Sequence, residues 1–465
     1  MKLDRAMDWF GWSKVGVVPA AIFAIFVALT GGGSRSDILS LVVLRPVAVL
    51  MIAYALISGS KGDFRSLRVP LMILGSSIAI AAIQLIPLPS EIWSLLPARQ
   101  AAMDVFHTAN LEPGWLPISM FPSTTWNSFF AFAVPLAAIL LVSRVAPADR
   151  EKLVMVFLGI GMFSMMLGFV QLMLGERSST YLYRITTVRS AVGIFANRNH
   201  HAIFLACMIP LLTTQAMLSV RRRHVSALKF FIYILLVALI VACVVATGSR
   251  TGLVLSCIAF TSCFLLVPRR GDSLRLVQFG VARIRHFYIL LSFCVALFGI
   301  VTVFVSQSES VQRLLGENLA SDYRFKNLPQ VLDMVKAFFP VGGGLGTFGD
   351  VYGRFEANDS VTYFFFNHAH NDIIEYIYEA GVAGFIIVTS SLFLLIFRII
   401  KEFRVKSISF NETILSRCGL IVVSLIILGS FVDYPLRTPF MAVLFVMSLG
   451  MIETEARQSP HRSIR

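Results

Sequence analysis

Residues 367–385 read NHAHNDIIEYIYEAGVAGF and run directly into IIVTSSLFLLIF. Two histidines, an asparagine, an aspartate and two glutamates therefore stand where an apolar segment begins. Ionisable groups at the edge of a membrane segment are costly to place and mark functional sites. Asn371, Glu375 and Glu379 are spaced i, i+4, i+8, which predicts one polar helix face leading into the apolar run. His370 precedes that run, and an imidazole there suits general-base work on a hydroxyl. Gly381 and Gly384 follow at a spacing that lets another helix approach closely. The blander reading of the two glutamates is that they only hydrogen-bond neighbouring helices.

Two arginines add a second kind of chemistry. Arg250 lies in ATGSRTGLV between two apolar runs, flanked by Gly248 and Gly252. Arg324 lies in SDYRF, ahead of an amphipathic stretch. A guanidinium is a planar multi-donor fork that matches phosphate oxygens. Taken singly, Arg250 reads equally well as a snorkelling anchor. The order His368-Ala-His370-Asn-Asp372 also imitates a metal-ligand cluster at alternate positions, which keeps a metal-dependent hydrolase in view. A transporter, which also uses membrane-edge charges, is another reading.

The elements that carry these groups are hydrophobic. The 465-residue chain is 57% hydrophobic and 14% charged, with a mean hydropathy of +0.77. A soluble domain carries about a quarter charged residues. Apolar runs recur at 15–30, 38–58, 69–88, 126–143, 153–174, 201–219, 228–247, 252–267, 287–305, 377–397, 418–432 and 438–452. Most are long enough for a bilayer core of roughly 30 Å, and the first and eighth are short. Backbone groups in lipid must be paired within the segment, so these runs are expected to be helices. The expectation is an all-α polytopic membrane protein with about twelve transmembrane helices, forming a single domain over 1–465. The first run follows a basic start, as a signal peptide does, but removing it would spoil the charge pattern.

That pattern comes from the alternate segments 1–14, 59–68, 144–152, 220–229, 268–286, 398–417 and 453–465, which hold 26 of the 40 basic residues. The positive-inside rule then puts both termini in the cytoplasm, and Arg250, Arg324 and His370 on the outer side. The formal charge of +14 is read as an orientation signal and an attraction to the cytoplasmic leaflet, not as nucleic-acid binding. All six cysteines fall in or beside the apolar runs, so neither a disulfide framework nor a thiolate metal site is expected.

Three outer segments are long: 89–125, 175–200 and 306–376. In the first, EIWSLLPARQAAMDVF has near-helical apolar spacing and reads as an interfacial helix on the membrane or as a plain connecting loop. In the third, Leu328, Val331, Leu332, Val335, Phe338 and Phe339 predict an amphipathic helix over about 325–339. PVGGGLGTF then ends it at a Gly-rich turn.

HNDIIEYIYEAGVAG (370–384) fits His-[Asn/Ser/Gln]-x9-Gly-x-x-Gly, and in this the chain resembles the O-antigen ligase and polymerase superfamily. GIFANRNHHA (193–202) is similar to that family's Gly-x-Phe-x-Asn-x-Asn segment, and GSRTG (248–252) to its Ser-Arg-(Thr/Gly)-Gly turn. Arg324 with the amphipathic helix and PVGGGLGTF resembles its long periplasmic loop between helices nine and ten. DYPLRTP (433–439) resembles a turn before the last span. A tryptophan that members often carry shortly after the loop arginine is absent from Phe325 to Leu332.

The resemblance covers about 190–450 and implies an inverting, metal-independent glycosyltransferase of the type C class, without cofactor. The donor would be a glycan on undecaprenyl diphosphate, at the periplasmic face of a bacterial inner membrane. The acceptor would be a lipid-linked repeat unit, as for a polysaccharide polymerase, or lipid A core, as for an O-antigen ligase; DYPLRTP leans slightly to the polymerase. By the resemblance His370 is catalytic, Arg250 and Arg324 hold the donor diphosphate, and Asn371, Glu375, Asn197, Asn199 and Ser249 support them. His200, His201 and Tyr434 are second-rank candidates, for each of which packing is the simpler role.

Overall fold

A computed structural model describes residues 16–60, 62–176, 178–222, 227–266, 326–357, 366–404 and 409–452. The expected span at 287–305 and the candidate Arg324 lie outside the described residues.

The described chain is helical almost throughout. Helices α1 (Val17–Thr30), α2 (Leu41–Ser58) and α3 (Arg68–Gln84) occupy the first three predicted spans. Two short helices, α4 (Ser90–Trp93) and α5 (Gln100–Thr108), follow, with two-residue strands β1 (Pro87–Leu88) and β2 (Leu116–Pro117) paired antiparallel around them. The fourth span is built from α6 (Pro122–Ala131) and α7 (Ala133–Val142). Pro135 explains the break at Phe132, since its ring nitrogen cannot bond the carbonyl of Ala131 four residues earlier.

Helices α8 (Arg150–Leu174), α9 (Arg198–Arg221), α10 (Ala227–Thr247) and α11 (Arg250–Ser262) come next. Then follow α12 (Leu328–Phe338), the short α13 (Phe348–Tyr352), α14 (Asp372–Arg404), α15 (Phe410–Ser430) and α16 (Pro439–Ile452). Among the described residues, six helical stretches are long and apolar enough to cross a membrane, and five shorter apolar helices sit on further predicted spans. The chain is a polytopic membrane protein by this measure.

The core is organised around α9, which is buried on nearly all sides and packs against α8, α10, α11 and α15. Helix association inside lipid lacks the hydrophobic drive of water and depends on close packing of small residues. Gly252 of α11 meets Ala202 of α9 so closely that a Cβ there would overlap it. This contact joins the start of α11 to the start of α9.

Two expectations need correction. EIWSLLPARQAAMDVF is not one interfacial helix, because Pro97 and the positive φ of Ala98 (60°) divide it into α4 and α5. Trp93 is buried, and its Nε1 donates to Pro117 O at 2.7 Å. Arg99 is also buried, with its guanidinium between the Trp93 and Phe338 rings at 5.5 and 5.3 Å. It donates to the carbonyls of Pro97 (2.9 Å), Ile118 (2.7 Å) and Gly342 (3.2 Å). Burial without a carboxylate lowers its pKa to about 10. The first long loop is thus stapled to the Gly-rich turn.

Second, α14 does not run unbroken, and Gly381 does not seat a neighbouring helix. Gly381 takes φ 60° and ψ −139°, a conformation that strains any residue with a Cβ. The carbonyl of Pro340 occupies the space where that Cβ would be. Gly384, in turn, faces Tyr376 and Ala380 of its own helix. Beyond the break, Val382, Phe385, Ile386, Phe393, Ile396 and Phe397 are exposed, as suits contact with lipid. Before it, residues 372–380 are buried or half-buried against the rest of the protein. The apolar span and the polar segment ahead of it are therefore two pieces with different neighbours.

Candidate functional site

The break in α14 explains the PVGGGLG sequence. It leaves the carbonyls of Tyr378 and Glu379 without helical partners, and the amides of Gly343 (3.1 Å) and Gly344 (3.0 Å) bond them. Gln84 of α3 also donates to Glu379 O at 2.8 Å, and its Oε1 accepts from Leu345 N at 2.9 Å. In return Val382 N donates to Pro340 O at 2.8 Å. Gly342, Gly344 and Gly346 all have positive φ, so the glycines let this turn thread into the break.

The polar face ahead of the break differs from the predicted one. Helix α14 begins at Asp372, and Asn371 acts as its cap: Oδ1 accepts from Ile373 N (3.1 Å) and Ile374 N (3.0 Å), as short amide side chains do at helix starts. Its Nδ2 donates to Phe431 O at 2.8 Å. The shared face is Asp372, Glu375 and Glu379, spaced i, i+3, i+7, and all three are buried.

They surround Arg437, which sits in the turn between α15 and α16. Its Nη1 and Nη2 donate to Glu379 Oε1 (3.2 Å) and Oε2 (2.8 Å). Its Nε lies 3.3 Å from Glu375 Oε1 and 3.6 Å from Asp372 Oδ1. Burial opposes the arginine's charge, but the surrounding carboxylates outweigh it and raise its pKa. Glu379 further accepts from Gly346 N (2.9 Å), and Asp372 from Ser430 Oγ (2.9 Å) and Leu436 N (3.1 Å). This network holds α14, the glycine turn and the 433–438 turn in one register.

His368 belongs to the same network. Its Nδ1 is 2.8 Å from Glu375 Oε1, and Ala369 N donates to Oε2 at 2.8 Å. A carboxylate only accepts, so the proton is on Nδ1. Burial lowers the pKa of His368 against the opposing pull of Glu375. Its ring lies 4.3 Å from that of Tyr434.

His370 is placed differently. It takes φ 51°, left-handed for a non-glycine residue, and such strain concentrates at functional sites. Its ring rests between Phe366 (5.5 Å) and Tyr434 (5.0 Å), and its side chain is 22% exposed. Nδ1 faces Asp433 Oδ1 at 3.4 Å. Asp433 is fully buried, and Oδ1 also accepts from Tyr434 N (3.0 Å) and lies 3.8 Å from His200 Nε2. The contact is electrostatic rather than a hydrogen bond, and a carboxylate facing Nδ1 favours the tautomer that leaves Nε2 for proton transfer.

The remaining candidates gather at the same end. His200 bonds Thr438 Oγ1 through Nδ1 at 2.8 Å and meets the Tyr434 ring edge-on at 5.0 Å. Asn197 caps α9 by accepting from Asn199 N at 2.8 Å, and Asn199 is buried beside it. Ser249 caps α11 by accepting from Gly252 N at 3.1 Å, and Arg250 is the first residue of that helix. The Gly252–Ala202 contact brings the start of α11 against α9, two residues beyond His200. His201 faces inward, with Nδ1 on Ala191 O at 2.7 Å, and serves packing.

His368, Asp372 and Glu375 are directed to different partners, and among the described residues no group of three or more His, Cys, Asp or Glu is arranged to hold a metal. Sequence reasoning did not single out Arg437 or Asp433. The signal was DYPLRTP itself: an acid and a base in a tight turn between two apolar helices, opposite a segment with three acids.

No curated protein matches the chain. The family described as O-antigen ligase matches residues 234–389, a segment that runs from α10 through Arg250, the glycine turn and His370 past the break in α14. Over that segment the chain is similar to the O-antigen ligase family.

Proposed function

We propose that the protein is a membrane glycosyltransferase that moves a glycan en bloc from undecaprenyl diphosphate to an acceptor glycan. The reading is supported most directly by His370: a half-open imidazole, backed by the buried Asp433 at 3.4 Å, at the end of the bundle where Arg250 starts α11. In the reaction, His370 Nε2 takes the proton of the acceptor hydroxyl as its oxygen attacks the anomeric carbon. The bond from that carbon to the diphosphate oxygen breaks, and the configuration inverts. The departing diphosphate gains negative charge, which preorganised cations stabilise. Arg250 is assigned that role, with Arg324 as its partner from outside the described residues. Arg437 is committed to three carboxylates and is a framework group instead.

The site would face the periplasm from a bacterial inner membrane crossed about twelve times, with both termini cytoplasmic. Polymerisation of lipid-linked repeat units is the favoured form, and ligation to lipid A core is the second. Both use the same base and the same clamp.

The experiment is transfer by purified protein in vesicles, with a lipid-diphosphate glycan as donor. Product of inverted anomeric configuration, formed equally with EDTA present, is expected. His370→Ala and Arg250→Ala should abolish it while protein levels hold. Wild-type output from His370→Ala would refute the assignment. Deletion of the gene separates the two forms: single-repeat glycans indicate a polymerase, and long chains left on the carrier indicate a ligase.

A further inference from the structure

Arg45 lies one turn inside the start of α2, on a helix otherwise apolar. Arg45 stands at the border of the exposed face: Val42 and Val49 are exposed at 69% and 55%, whereas Ala48 is buried, so the half-buried arginine lies at the lipid edge. Arg45 Nη2 donates to Asn127 Oδ1 at 2.6 Å and to Asn127 O at 3.3 Å. Its Nε is buried and has no hydrogen-bond partner among the described residues. No ion pair to Arg45 occurs among them either. A cation at this depth without a counter-charge is unfavourable unless something anionic reaches it.

The surroundings indicate what that is. Asn127 lies on α6 at a similar distance from the helix start, about 7 Å by helical rise. On either side of it Trp126 and Phe130 stack with ring centroids 5.7 Å apart, and both rings are about half exposed. Aromatic rings of this kind sit at headgroup level. The guanidinium is therefore at the depth of lipid phosphates, with an apolar aromatic shelf beside it.

Helix α6 also reaches the site. Gly346 lies against Thr124 and Ser128 of α6, and the amide of Gly346 donates to Glu379, which Arg437 grips. One helix thus carries Asn127 on one side and contacts the glycine turn on another. Arg45 and Arg250 approach from different flanks, since α2 packs on α1 and α7 whereas α11 packs on α9 and α15.

We propose that Arg45, Asn127 and the Trp126–Phe130 shelf form a second lipid-phosphate site, which holds the phosphate of the lipid that carries the acceptor glycan. Its role as the acceptor site rests on the glycosyltransferase reading above; the binding itself does not. Transfer between two lipid-borne glycans needs two anionic headgroups held apart, and Arg45 and Arg250 stand on separate flanks. The fork geometry of Arg45 suits phosphate better than a point charge does.

The test is native mass spectrometry of the full-length protein in neutral phosphatidylcholine nanodiscs. Polyprenyl diphosphate and, separately, phosphatidylglycerol are titrated against wild type, Arg45→Gln and Arg250→Ala. Gln keeps a donor for Asn127 but no charge, and an unchanged unfolding temperature verifies folding. Wild type should bind two polyprenyl diphosphates. Arg45→Gln should weaken one of them about tenfold, the order expected for one charge-assisted contact, and Arg250→Ala should weaken the other. Equal binding by wild type and Arg45→Gln overturns the site. Failure of polyprenyl diphosphate to displace phosphatidylglycerol at Arg45 overturns its acceptor assignment in favour of a structural phospholipid. Loss of transfer activity in wild type would refute the proposed function while leaving these binding results intact.

Discussion

Arg437 grips Glu379 with both terminal nitrogens, at 3.2 and 2.8 Å, while its Nε stands 3.3 Å from Glu375. Glu375 in turn holds His368 and the Ala369 amide, at the entrance to the His370 turn. One guanidinium therefore sets the position of the segment that carries the proposed base, although it contacts neither His370 nor Asp433 in any described hydrogen bond. Its surplus of carboxylates distinguishes it from a phosphate clamp, which needs positive charge left over.

Replacing Arg437 by Met should destabilise the protein by about 3–5 kcal/mol, because carboxylates would remain buried without their cation. Arg437→Lys keeps the charge but loses the fork, and should fall between. Thermal unfolding in detergent reads both. A wild-type unfolding temperature for Arg437→Met would show that the network contributes little.

Gly381→Ala tests the break in α14. The new Cβ would meet Pro340 O at a φ of 60°, and strain of this kind costs roughly 1–3 kcal/mol. Gly159→Ala in α8 is the control, since a Cβ there meets nothing within 4 Å and alanine favours the helix. The first variant should lower the unfolding temperature and the second should hold or raise it. Equal behaviour would mean the turn can withdraw from the break.

The helices were legible because runs of apolar residues carry a strong signal that owes nothing to tertiary contacts. His370 and Arg250 stand out in the sequence because a charged group beside such a run is conspicuous. The break at Gly381 was not, since GVAG reads equally as a packing stripe, and only the arrival of Pro340 from 41 positions earlier in the chain decides between them. Nor was the partner of Glu379: nothing local links residue 379 to residue 437, and the pairing depends on how α14 and α15 meet. Asn371 was assigned to the polar face because spacing alone cannot show that the helix starts one residue later. The interfacial helix near Trp93 failed for a local reason, the Pro97–Ala98 step, which the apolar spacing concealed.

Asp433→Asn should lower kcat at least about tenfold with KM nearly unchanged. The amide can still accept from Tyr434 N, so the turn keeps its shape, but the charge that faces His370 Nδ1 at 3.4 Å is gone. Removing the carboxylate that orients a catalytic imidazole impairs the chemical step more than binding. A rise in KM with kcat intact would instead assign Asp433 to substrate binding.

His368 predicts the direction of a pH effect on stability. Burial holds its pKa below the ordinary value of about 6.5, so the folded state binds its proton less readily than the unfolded chain. The corresponding stability is complete above about pH 6.5 and is lost as pH falls from there toward the folded value. His368→Asn places an amide nitrogen near the position of Nδ1, where it can donate to Glu375 without titrating. The unfolding temperature of the wild type should therefore fall more steeply between about pH 6.5 and 5 than that of His368→Asn, with the two curves parallel above pH 7. Parallel curves through the acid range would mean that His368 accepts its proton as easily in the fold as outside it, and that Glu375 rather than burial governs it.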